Sequence, residues 1–261
     1  MNRIKFLGVG AGDFGMLMQV VPTHSIYCEL DGLNFMIDPG PGTLINARLN
    51  DINILKLNGV LLSHLHQDHS GDVGVAVTSI GSNTPSFLIA EEHCLKESKE
   101  YFPCVSRWHQ RIPQKLVPVE PGEYTEIGKL KIKAIKCNHY DPCVGFLIKG
   151  SKTIGYTSDG AYYPGQEDEY KNCDLLIVNV MDPHGKKQID YHMSVDDSIK
   201  LIKKCKPKLA IITHYSYQML HKNPIEQAKI IEKETGVKTE AALPGMEINL
   251  DSLKSNVNNG E

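Results

Sequence analysis

Several things are scarce in this chain, and each scarcity removes a class of protein. No apolar run among its 261 residues approaches the roughly 20 that span a bilayer, so no membrane segment is expected. The opening, Met1 to Leu7, runs straight into a strand pattern and shows no signal-peptide cleavage pattern. Seven cysteines, Cys28, Cys94, Cys104, Cys137, Cys143, Cys173 and Cys205, are odd in number, scattered and never spaced as Cys-x-x-Cys. They read as reduced thiols of a cytoplasmic protein rather than a disulfide framework. The formal net charge is −3, which argues against a generally basic nucleic-acid surface and leaves room only for a local patch. There is no internal repeat and no linker long enough to separate domains. One domain over residues 1–251 with a polar tail at 252–261 is expected.

What is present is an ordinary soluble composition, 41% apolar and 23% charged, around one unusual stretch. Ser63-His64-Leu65-His66-Gln67-Asp68-His69 puts three histidines and an aspartate within six positions, His-x-His-x-Asp-His. The apolar run Gly59-Val60-Leu61-Leu62 before it reads as a short buried strand, so the motif lies on the loop leaving that strand. Residues two apart in extended chain point the same way, so His64 and His66 can reach one metal ion together. Asp68 and His69 follow a change of direction and can reach a second. Imidazole and carboxylate suit zinc, iron or manganese. The bland alternative, a loop that is histidine-rich by chance, does not explain four ligand-type residues straight after a buried strand.

Other candidates also close strands. His139 follows the alternating Leu130–Ile135 segment, Asp159 follows Thr153–Thr157, and His214 follows the apolar Leu209–Thr213. Further expectations are a hairpin turning at Asp31-Gly32, a helix from Thr43 to Asn53, a helix from Asp72 to Ile80, and a helix from Glu91 to Tyr101. Residues 102–118 read as irregular, with Trp108 between Arg107 and Arg111 as a possible stacking group. A helix capped by Ser194 runs to about Lys206, another starts at Asn223-Pro224, and a final strand covers Glu240 to Leu250. Gly8-x-Gly10-x-Gly12 is not followed by a helical pattern, which speaks against a dinucleotide fingerprint.

In this pattern the chain resembles the metallo-β-lactamase superfamily, and within it the ribonuclease Z-like branch that also contains small phosphodiesterases. Asp38-Pro39-Gly40-Pro41-Gly42-Thr43 matches that branch's Asp-x-Gly-x-Gly-Thr turn, and the N-terminal strand with its Leu-Gly-x-Gly turn is similar. The resemblance implies an α/β protein with a four-layered αββα sandwich. It implies two divalent metal ions, zinc first and manganese or iron as alternatives. His64, His66 and His139 would hold one, Asp68, His69 and His214 the other, and Asp159 would bridge them. The nucleophile would be a metal-bridging hydroxide with Asp68 as its partner. His192, in Asp190-Tyr191-His192-Met193-Ser194, would protonate the leaving oxygen; its bland alternative is a helix cap. Asp38 would orient a ligand histidine or cap its turn. Asn179 stands where the branch often places a glutamate beside the donor histidine, with Asp182 as a substitute partner. A homodimer is implied by the same likeness.

The resemblance also carries a departure. The tRNA-processing members usually insert a long arm between the equivalents of His139 and Asp159, which here are only 20 positions apart. The expected substrate is therefore a small or cyclic phosphodiester or a short RNA. A thioester or lactone hydrolase of the same superfamily, or a metal-binding sensor without catalysis, are the alternatives.

Overall fold

The structure is a computed structural model and describes residues 1–253. The N-terminal half supplies strands β1 (Arg3–Gly8), β2 (Ser25–Leu30), β3 (Leu33–Ile37), β4 (Gly59–Leu62), β5 (Phe87–Glu91) and β6 (Lys115–Val119). The second half supplies β7 (Tyr124–Ile127), β8 (Leu130–Lys136), β9 (Val144–Lys149), β10 (Thr153–Tyr156), β11 (Leu175–Asn179), β12 (Leu209–Thr213) and β13 (Thr239–Ala241), before β14 (Glu247–Asn249). The helices are α1 (Gly12–Met18), α2 (Thr43–Leu49), α3 (Gln67–Ser70), α4 (Val73–Ile80), α5 (Gln166–Glu169), α6 (Val195–Cys205), α7 (Tyr217–His221) and α8 (Pro224–Thr235).

The strands form two seven-stranded mixed sheets, ordered β14-β1-β2-β3-β4-β5-β6 and β13-β12-β11-β10-β9-β8-β7. In the first, β3 to β6 run parallel; in the second, β10 to β13 do. The parallel strands β4, β11 and β12 are buried at every position, which is why they read as unbroken apolar runs. Phe6, Phe35, Ile132, Phe146, Ile154 and Ile177 belong to one core that joins the two sheets and takes in α6 and α8. A second core, with Met36, Val60, Leu62 and Leu88, packs Ala47 of α2 and Val73, Ala76, Val77 and Ile80 of α4 on the outside of the first sheet. This is the expected αββα sandwich. No helix among the described residues is long and apolar enough to cross a membrane.

Local chemistry explains most element ends. The hairpin turns at Asp31-Gly32, where both φ values are positive (51° and 83°), the conformation a two-residue type I′ turn needs. Ser194 caps α6 through a capping box with Asp197, so the cap is Ser194 and not His192. Asn223 caps α8, Pro224 begins it, and Gly236 ends it in the left-handed region.

Four expectations need correction. A helix, α1, does follow Gly12: although Gly12 and Gly15 are poor helix formers, the Gly12 N–H is anchored on Asp68 Oδ2 at 2.7 Å. The segment still differs from a dinucleotide site, because β1 pairs antiparallel with both β2 and β14. The helix from Thr43 stops at Leu49, and a 3₁₀ turn at Ile54–Lys56 follows. From Glu91 to Tyr101 only a 3₁₀ turn, Glu92–Cys94, forms; the Ser98 hydroxyl accepts the Glu100 and Tyr101 N–H groups and holds the chain in a turn instead. Glu240 to Leu250 is not one strand, since Pro244-Gly245 separates β13 in one sheet from β14 in the other. Of the polar tail, residues 254–261 lie outside the described residues. Trp108 is exposed, and its ring meets His109 edge to face.

Candidate metal centre

The sheets deliver their strand ends to one edge. Asp38 follows β3, His64 to His69 follow β4, His139 follows β8, Asp159 follows β10 and His214 follows β12. Three of these exits turn through the left-handed region on residues other than glycine: Asp38 (φ 49°), Ser158 (φ 53°) and His214 (φ 61°). Such backbone costs about 1–3 kcal/mol per residue and concentrates where the surroundings force a functional geometry.

The turns bring all seven expected ligand residues together. Donor atoms of His64, His66 and His139 lie within 4.8 Å of one another, as do those of Asp68, His69 and His214. Asp159 groups with His64 and His69 on one side and with His139 and His192 on the other, which places it between the two sets. Asp159 Oδ2 is 3.4 Å from His69 Nε2, and its Oδ1 is 3.3 Å from His214 Nδ1.

Outer partners fix which ring nitrogen of several histidines faces inward. Asp38 Oδ2 accepts from His69 Nδ1 at 2.9 Å, which leaves Nε2 toward the cavity. Ser63 donates its hydroxyl to Asp38 Oδ2 (2.6 Å), so its oxygen accepts from His64 Nδ1 (2.9 Å). His139 Nδ1 donates to the Asp141 carbonyl at 3.2 Å. His66 donates from Nε2 to the Asp141 carboxylate at 2.7 Å, and Tyr101 donates its hydroxyl to the same carboxylate. This is how proteins aim histidines at a metal.

Three observations show that the residues fit a cation. His64 Nε2 and His139 Nε2 are buried with no hydrogen-bond partner. His69 Nε2 and His214 Nε2 approach to 2.9 Å, close enough for both to face one shared cation. Asp38, Asp68 and Asp159 are three buried carboxylates around the same space. Burial holds the His64 pKa well below its usual value and pushes His139 down to about 4, so both are neutral donors. Burial opposes charge on His69 as well, but Asp159 and Asp68 outweigh it and raise the pKa. Burial works against the Asp159 carboxylate too, and there His214, His69 and His192 prevail and keep it ionised.

His192 reaches the same space from the loop before α6. Its Nε2 is 3.3 Å from Asp159 Oδ2 and its ring packs edge to face on His139. Nδ1 donates to the Asp190 carbonyl at 2.9 Å. Asn179 meets His192 through a shared partner: its Nδ2 donates to Asp159 Oδ1 at 2.8 Å, on the carboxylate that His192 faces. The Asp182 carboxylate does not touch His192: it accepts the Gln188 and Ile189 N–H groups and so shapes the loop that carries His192. His184 pairs with Asp196 away from the centre. Cys143 is buried beside Ser158 and the Asp159 carbonyl, and Cys137 is half-buried against the Thr157 carbonyl.

The sequence reading missed His24 and Tyr156. Both are fully buried, and the Tyr156 hydroxyl donates to Asp38 Oδ2 (2.6 Å) while taking a hydrogen bond from His24 Nε2 (3.0 Å). His24 Nδ1 has no partner. Neither sits in a recognisable motif.

Two mixed sheets face to face, helices outside, and histidines and aspartates gathered where strands of both sheets end define the metallo-β-lactamase type of protein. The chain belongs to that superfamily: the model of the beta-lactamase superfamily domain matches residues 33–215. An uncharacterised protein of Methanocaldococcus jannaschii is 29% identical over 257 residues, covering 95% of each chain. A ribonuclease Z of Methanococcus aeolicus is 28% identical over 168 residues, which are 58% of this chain and 47% of that one. The solved metallo-beta-lactamase fold protein YhfI of Bacillus subtilis superposes with a TM-score of 0.75 at 20% identity, covering 95% of this chain and 98% of that one.

Proposed function

We propose that this member is a dinuclear metal-dependent hydrolase, a phosphodiesterase acting on a small or cyclic phosphodiester or a short RNA. His64, His66 and His139 would hold one ion, Asp68, His69 and His214 the other, with Asp159 shared. Zinc suits these ligands best, with manganese or iron as alternatives. Two such ions, when bound, lower the pKa of water and offset charge on phosphoryl oxygens.

The observation that carries the reading is the setting of His192. A carbonyl can only accept, so the Asp190 carbonyl fixes the proton on Nδ1 and orients the ring. Nε2 then faces the Asp159 carboxylate, a placement that favours a second proton and hence the imidazolium. A protonated imidazole at the cavity wall can deliver a proton to a departing alkoxide, which a phosphodiester needs. Across the cavity, Asp68 is held by the Gly12 N–H and can accept the proton of an attacking water. The ribonuclease Z name of one relative and the absence of an inserted arm between His139 and Asp159 support a phosphodiester smaller than tRNA. By the same family likeness the chain would work as a cytoplasmic homodimer.

The test is turnover of bis(p-nitrophenyl) phosphate beside a thioester and a lactone, with bound metal measured on the same sample. About two metal equivalents and phosphodiester turnover are expected. His192→Ala should lower that turnover by roughly 10²–10⁴-fold while metal stays bound. Turnover of the thioester or lactone alone would move the assignment to carbonyl chemistry. Metal binding with no turnover of any ester would make the chain a sensor.

A further inference from the structure

α1 and α7 stand side by side next to the metal centre. Phe14 of α1 meets Tyr217 of α7 edge to face, with ring centroids 5.4 Å apart and planes at 79°. The two rings wall a cavity of about 510 Å³ that is also lined by Met181, Ile189 and Gln218. Among the described residues no charged side chain lines it. Gly12 and Met181 border this cavity and also the cleft that holds Asp68, Asp159 and His192, so the two spaces adjoin. Large rings left half exposed beside a polar reaction centre, in a hollow of this size, are the usual build of a ligand pocket.

We propose that this cavity binds the nucleobase of one ester arm of the substrate, which makes the substrate a nucleotide phosphodiester; this rests on the phosphodiesterase reading above. The walls set the chemistry. Flat aromatic surfaces and a thioether favour a planar ring over a branched aliphatic group. The absence of a cation among the described lining residues disfavours a second phosphate or a carboxylate. Gln218, which lines the cavity, carries an amide donor and acceptor suited to the polar edge of a heterocycle. The Ser216 hydroxyl is not available for this, since it is spent on the Met181 carbonyl.

Gly15 gives a clean test. A Cβ built there meets nothing within 4 Å, and the residue is helical, so Gly15→Leu puts a side chain into open space while favouring the helix. The metal-loaded full chain is titrated calorimetrically with adenosine 5′-monophosphate and with methyl phosphate, and turnover of methyl p-nitrophenyl phosphate is followed in parallel. Wild type should bind the nucleotide at least about ten-fold more tightly, the usual scale of base–aromatic stacking. Gly15→Leu and Phe14→Ala should each abolish that preference while leaving methyl phosphate affinity and methyl p-nitrophenyl phosphate turnover within about two-fold. Equal affinities in wild type, or an unchanged preference in Gly15→Leu, would overturn the pocket while continued turnover keeps the phosphodiesterase reading. Conversion of a wild-type dimer to monomer by Gly15→Leu would overturn it in favour of a second copy of the chain on this face. No turnover of any phosphodiester would remove the functional reading and the pocket together.

Discussion

Asp38 receives His69 Nδ1 on the same carboxylate oxygen, Oδ2, that accepts the hydroxyls of Ser63 and Tyr156, and its other oxygen accepts the Ser63 N–H at 2.7 Å. One buried carboxylate therefore serves four donors from the ends of two strands, β4 and β10, and through Ser63 it also fixes the ring of His64. Asp38→Ala strips a partner from all of them. Buried donors left unpaired cost about 1–3 kcal/mol each, so the variant should lose at least about 2 kcal/mol of stability in urea unfolding. Asp38→Asn keeps the shape but not the charge; it should bind metal roughly 10–100-fold more weakly, as measured by chelator competition. Unchanged affinity in Asp38→Asn would show that His69 and His64 need no such orientation.

Gly40 lets the turn after β3 touch the histidine motif. A Cβ built there would lie 2.1 Å from the Asp68 carbonyl oxygen and 2.7 Å from that of His24, both backbone atoms with no freedom to swing aside. Gly40→Ala should cost about 1–3 kcal/mol or more and push the Asp68 segment away from His214. The expected readout is a lower melting temperature together with a metal stoichiometry nearer one than two. A variant with full stability and two bound ions would contradict the packing described.

Asp174 supplies the pH dependence that does not involve the metal centre. It accepts the Thr153 N–H at 2.7 Å and pairs with Lys208 across the start of β10 and β12. Partial burial pushes its pKa up, but Lys208 and the Thr153 N–H outweigh this and set it below the ordinary carboxylate value. A carboxylate with a depressed folded pKa adds stability that is fully present above the unfolded value, near 4, and fades as pH falls through the folded one. Asp174→Asn should therefore lower stability at pH 7 and flatten its fall as the pH drops below about 4. Urea unfolding of the metal-free chain across that range is the measurement; parallel curves for the two proteins would exclude this contribution.

Much of the layout could be read in advance because it rests on periodic signals. Apolar runs for β4, β11 and β12 ended in His64, Asn179 and His214, and strand ends in a sheet share an edge. What escaped was set by tertiary contact. His24 is a single residue between Thr23 and Ser25, and it reaches the centre only because Gly10 bridges to Thr23 while β1 and β2 shift register between Phe6 and Gly8. Tyr156 looks like any core aromatic until its hydroxyl finds Asp38. The helix α1 carries two glycines and no buried apolar stripe, so propensity argues against it, and its anchor on Asp68 lies 56 positions away. The reverse error, a helix over Glu91 to Tyr101, trusted helix-forming residues where Ser98 offers the backbone an alternative.

The first sheet supplies His64, His66, Asp68 and His69, and the second supplies His139, Asp159 and His214. Neither half of the chain can assemble either set alone with its shared aspartate. On the proposed ligand assignment, the emerging polypeptide would complete both sets only once His214 has left the ribosome and β12 has joined its sheet. Metal loading would then be a late checkpoint that reports completed folding, and a truncated or half-folded product would lack the full ligand set.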